Sequence, residues 1–69
     1  MPLTMARTGE VNIIKKVGGL GETRKFLENL GFVNGSTVTV VNAIDGNVIV
    51  NVKESRVAIS KEMANKIMI

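Results

Sequence analysis

Residues 24–40 read Arg-Lys-Phe-Leu-Glu-Asn-Leu-Gly-Phe-Val-Asn-Gly-Ser-Thr-Val-Thr-Val. At about 3.6 residues per turn, Thr23, Phe26, Leu27 and Leu30 share one face of a helix, and Glu22, Arg24, Lys25, Glu28 and Asn29 share the other. The spacing predicts a helix over residues 22–30, with Glu22 at the positive end of its dipole. Gly31 follows the last periodic residue, where a left-handed cap favours a residue without Cβ. Phe32 then falls where such a cap returns an apolar contact onto Leu27. Asn34-Gly35 signals a tight turn. From Thr37 the pattern alternates, placing Val38 and Val40 on one face of a strand.

Outward from this stretch the chain stays dense in structural signals. Asp45-Gly46 suits the positive φ values of a type I′ hairpin turn. Val48, Val50 and Val52 alternate on the return strand, Lys53-Glu54 makes a second turn, and residues 56–59 form another short strand. Ser60 is placed to cap one helical turn through Ala64, and Ile67, Met68 and Ile69 close as a final strand. Towards the N-terminus, Thr8-Gly9 marks a turn. Residues 10–17 read as one strand in which Val11 and Ile13 alternate with Asn12 and Ile14 breaks the alternation, through a bulge or a middle buried on both sides. Gly18-Gly19-Leu20-Gly21 connects that strand to the helix. About five short strands, one helix and one helical turn in one small domain predict a mainly β barrel, because closure removes exposed sheet edges.

Composition narrows the chemistry. Sixty-nine residues make a single domain, 1–69, with 45% hydrophobic and 22% charged residues, well away from disorder. A chain of this size buries only about 60% of its unfolded surface, so a partner or weak self-association can supplement its stability. Val, Ile, Leu and Met must build the core, with Met5, Met63 and Met68 as gap-fillers. The net charge of +3 is spread in pairs such as Lys15-Lys16 and Arg24-Lys25, without a run of like charges. There is no His and no Cys, which removes imidazole and thiolate from catalysis and metal binding. Ser36, Ser55 and Ser60 sit beside turns or caps, where their hydroxyls have structural uses, so the residues point to no enzyme. No carboxylate pair falls at helical i, i+4 spacing, and no metal site or cofactor is expected within the chain. No apolar run approaches the roughly 18 residues that span a bilayer, and the first ten residues lack the pattern of a signal peptide. The expected location is the cytoplasm, without membrane insertion.

The ordered set Leu3, Gly9-Glu10, Arg24, Leu27, Leu30-Gly31, Gly35, Val38, Val40, Val57-Ala58-Ile59-Ser60, Ala64 and Ile67 to Ile69 resembles the ferrous iron transport protein A (FeoA) family over nearly the whole chain. The resemblance implies a small SH3-like β-barrel with one inserted helix, found in bacteria. It also implies a non-catalytic cytoplasmic accessory of FeoB, a membrane protein with a GTP-binding domain that imports Fe(II). The same fold serves as the C-terminal domain of iron-dependent repressors, which makes a metal-linked regulatory module the alternative reading. Two departures from the family pattern stand out. The hairpin link Ala43-Ile44-Asp45-Gly46-Asn47 is short, and Glu54 replaces a common glycine.

Three surface features remain. The glycine loop before the helix resembles an anion cradle, but no Gly-Lys-Ser/Thr follows, so it reads as a connection rather than a nucleotide loop. Lys15, Lys16, Arg24 and Lys25 form a candidate basic patch. Weak nucleic-acid binding through it lacks exposed aromatics, because the helix pattern sends Phe26 and Phe32 inward. The helix's polar face, with Leu20 before it, is therefore the candidate partner surface: Leu20, Arg24, Lys25, Glu28 and Asn29. Arg24 stands out because it matches the family's arginine and its planar fork pairs well with carboxylates.

Overall fold

A computed structural model describes all residues 1–69. A 3-10 turn over Leu3–Met5 leads into strands β1 (Val11–Ile13) and β2 (Lys16–Val17), then helix α1 (Gly21–Leu30). Strands β3 (Thr37–Ile44), β4 (Asn47–Val52) and β5 (Ser55–Ser60) follow as a meander. A single helical turn, α2 (Lys61–Ala64), and strand β6 (Ile67–Met68) end the chain. The order β1-β3-β4-β5 forms an antiparallel four-stranded sheet, and β2 pairs with β6 in a second, two-stranded one. The backbone ladder does not close between these sheets, so the barrel is an open one, with β1 and β5 as the outer strands of the larger sheet.

The meander follows from its residues. Val38, Val40, Val48, Val50 and Val52 are all buried, and the register sets Val38 beside Val52 and Val40 beside Val50. A shift between Val40 and Asn42 bulges β3 and bends the hairpin. Asp45 (φ 47°) and Gly46 (φ 81°) form the expected two-residue turn. Lys53 (φ 48°) and Glu54 (φ 64°) adopt the same backbone without a glycine. Ser60 caps α2, its Oγ accepting from the Met63 N–H at 3.2 Å.

Helix α1 ends as its sequence requires. Gly31 has φ 111°, its N–H donates to Glu28 O at 3.0 Å, and the Phe32 N–H donates to Leu27 O at 3.0 Å. Those two bonds define a Schellman cap. They turn Phe32 directly into the core, where it is the largest fully buried side chain, beside a completely buried Leu27.

The N-terminal third departs from expectation. The strand expected over residues 10–17 is two strands in different sheets. At the crossing, the Ile14 N–H donates to Ser36 O at 2.9 Å, and the Lys15 N–H donates to Met68 O at 2.8 Å. The alternation is real but has the opposite phase: Val11 and Ile13 are 64% and 59% exposed, whereas Ile14 is buried. Asn12 is half-buried, its Nδ2 donating to Glu10 O at 3.2 Å. Met5 is exposed and fills no gap, whereas Leu3 is fully buried and Met63 packs against the core. Phe26 is 48% exposed rather than inward. It lies about 100° around the helix from Leu27, at the rim of the apolar stripe, and Leu27 is the one α1 side chain fully buried.

Candidate interaction surface

The exposed side of α1 is set by the loop that starts it. The Gly18 N–H donates to Lys66 O at 2.6 Å, fastening the loop to the chain just before β6. Gly19 (φ 100°) and Gly21 (φ 46°) take left-handed conformations on either side of Leu20, which occupies the N-cap position with extended backbone. Leu20 offers no capping side chain, and its carbonyl accepts from the Thr23 N–H at 3.1 Å. Its own side chain is 90% exposed, more than any other large hydrophobic residue in the molecule.

Leu20, Arg24 and Glu28 follow one another at i, i+4 spacing, and Lys25 and Asn29 make a parallel row. All five are exposed, so the structure brings together the residues expected from the sequence. Arg24 Nε lies 3.9 Å from Glu28 Oε1, with both side chains largely in solvent. Such a pair contributes only about 0.3–0.5 kcal/mol and leaves the guanidinium free to exchange partners. Lys15 and Lys16 are exposed as well. The structure adds a cation that sequence spacing did not link to them: a Cβ built on Gly19 would lie 3.3 Å from Lys66 Cδ. Forty-seven positions separate these residues, so only the β2–β6 pairing brings them together.

Phe26 also belongs to this surface and was missed. Periodicity did not separate it from Leu27, since at about 100° per residue the two lie on opposite rims of the stripe, each about 50° from its centre. No three His, Cys, Asp or Glu residues gather in metal-binding geometry, and no pocket indents the surface. No helix is long and apolar enough to cross a membrane. The arrangement is a convex, mixed apolar and basic surface suited to contact.

Comparison with known proteins fits this architecture. The FeoA domain model matches residues 1–69. The chain is 38% identical to a Fe(2+) transport protein A of Methanocaldococcus jannaschii, over 99% of this chain and 83% of that protein. Among solved structures, a FeoA described as an iron uptake regulatory protein superposes with a TM-score of 0.89 at 28% identity, covering 99% of this chain and 92% of that one. The zinc-complexed FeoA of Stenotrophomonas maltophilia, described as a procaryotic SH3 domain protein, gives a TM-score of 0.87 at 23% identity, with coverages of 99% and 87%. A manganese-dependent transcriptional repressor shares the fold over 97% of this chain and 39% of its own, at 16% identity and a TM-score of 0.86. The expected SH3-like fold is therefore present, and with a family model spanning every residue, this chain belongs to the FeoA family.

Proposed function

We propose that this protein is a non-catalytic accessory of ferrous iron transport that works in the cytoplasm by docking onto a FeoB-type membrane G protein. The full-length family match and the 38% identical relative named for Fe(2+) transport carry this reading. The exposed row Leu20, Arg24 and Glu28, flanked by Lys25 and Asn29, supplies the contact. Arg24 pairs with a carboxylate of the partner in place of its loose bond to Glu28. Docking changes the partner's conformational or nucleotide state only to the extent that this surface binds the two states unequally.

The Arg24→Glu variant tests the surface. It should keep the far-UV spectrum and melting temperature of the parent and bind detergent-solubilised FeoB-type protein roughly tenfold more weakly. Undiminished binding by a folded variant removes α1 from the interface. A metal-linked regulatory module is the second reading, supported only by the shared fold of the manganese-dependent repressor at 16% identity. A one-to-one micromolar isotherm for Mn(II) or Fe(II) with the isolated protein would favour it over the first.

A further inference from the structure

Charge is unevenly placed in this molecule. Lys15, Lys16, Arg24 and Lys25 flank the glycine loop along the chain and Lys66 lies beside Gly19, with Glu22 and Glu28 the acidic residues of α1. The other eight charged side chains are four cations (Arg7, Lys53, Arg56, Lys61) and four anions (Glu10, Asp45, Glu54, Glu62), which cancel. The seven charged groups around the loop and α1 therefore sum to +3 at this end of the helix. Leu20 sits within that end, 90% exposed between two glycines in left-handed conformation. The loop carrying it is anchored on both sides, by the Gly18 N–H donating to the Lys66 carbonyl and by the Thr23 N–H donating to the Leu20 carbonyl.

We propose that this end of the protein docks on an anionic lipid bilayer, with Leu20 entering the headgroup region and the surrounding cations meeting lipid phosphates. An acidic protein surface fits the same charge but fits the rest less well. Protein hot spots are packed clusters rich in aromatics and arginine, and lysine is depleted from interface centres. Here the one aromatic, Phe26, is 48% exposed against 90% for Leu20, and four of the five surrounding cations are lysines. Lysine's flexible stem and strongly hydrated head suit a wet, mobile phosphate layer, where the stem lies along the apolar boundary and the ammonium stays in water. Such contact is peripheral and reversible, since one leucine and a few cations give far less than a spanning helix. Its effect is to raise the concentration of the protein beside any membrane-embedded partner, as tethering does for a second binding event. The inference concerns the chain alone and does not rest on the FeoB reading.

Co-sedimentation of the full chain with vesicles tests it. Vesicles of phosphatidylcholine with about one-third phosphatidylglycerol should retain roughly tenfold more protein at low salt than pure phosphatidylcholine vesicles, and the difference should disappear near 0.5 M salt. Leu20→Ser, which leaves the core untouched, should lower binding to the anionic vesicles several-fold, and Lys16→Glu with Lys25→Glu should abolish it. Equal retention on both vesicle types overturns the proposal, as does full retention of Leu20→Ser. Absence of vesicle binding together with weakened FeoB association of Leu20→Ser also overturns it, and assigns the leucine to a protein interface instead. Lys15→Glu with Lys16→Glu, outside the row proposed to meet FeoB, should lower anionic-vesicle binding several-fold and leave FeoB association unchanged, and unaltered vesicle binding by this variant overturns the proposal.

Discussion

Two turns of the β3–β4–β5 meander share a backbone but not a cause. Asp45-Gly46 and Lys53-Glu54 each link paired strands through two residues with positive φ. The first uses a favoured dipeptide, and a Cβ added at Gly46 would meet nothing within 4 Å. It is a local solution, set by its own residues. The second places two side chains where each costs about 1–2 kcal/mol in steric strain. It closes the β4–β5 ladder, whose last pair is Val52 with Ser55. A Cβ built on Gly31 would lie 3.4 Å from Lys53 Cγ and Cδ, so the lysine stem packs over the glycine that caps α1. The last turn of α1 has no basic residue of its own, and a cation brought to that end is favourable to the helix dipole. The turn thus lies against the helix cap and shields it with the Lys53 stem.

Three substitutions sharpen or break this comparison. Gly31→Val should have the largest effect, destabilising by about 2–3 kcal/mol, because it forces a β-branched residue to positive φ and drives its methyls into Lys53. Urea titration would show the loss, and a change under about 0.5 kcal/mol would mean that cap and turn are not coupled. Glu54→Gly should stabilise by about 0.5 kcal/mol, since relief of strain outweighs the greater freedom of glycine in the unfolded chain. A thermal melt showing destabilisation would indicate that Glu54 has a compensating contact. Lys53→Gly should be close to neutral, within about 0.5 kcal/mol, because the same relief is offset by the lost stem over Gly31. If both glycine variants stabilise equally in the same denaturation series, the lysine stem contributes nothing and the contrast between the turns collapses.

Legibility in the sequence follows the same division. Helix α1 was expected over residues 22–30 and spans Gly21–Leu30. Its Gly31 cap, the Asp45-Gly46 turn, the valine rows and the Ser60 cap all stand where their residues put them. The caps and the turn depend on bonds between residues at most a few positions apart, and the valine rows on an alternation that can be read along each strand. The misplacements lie in the N-terminal third and at the helix rim. Val11 and Ile13 look like a core face by composition, yet β1 lies at the edge of the sheet and turns them outward. Ile14 fills the core because the chain crosses there from one sheet to the other. The interaction surface divides likewise. Leu20, Arg24, Lys25, Glu28 and Asn29 follow from helical spacing, whereas Lys66 joins them only through β2–β6 pairing.

The sequence by itself determined the helix and its stop, the hairpins and the inward valines, because periodicity, glycine conformation and capping act over one or two turns of chain. It also determined that neither imidazole nor thiolate chemistry is available to this protein. Tertiary structure alone decided where β1 gives way to β2, which of two apolar phases is buried, that the Lys53 stem lies over Gly31, and that Lys66 joins the cations near one projecting leucine. Those outcomes depend on which distant segments meet, and burial is assigned by the partner that arrives rather than by the residue that waits for it.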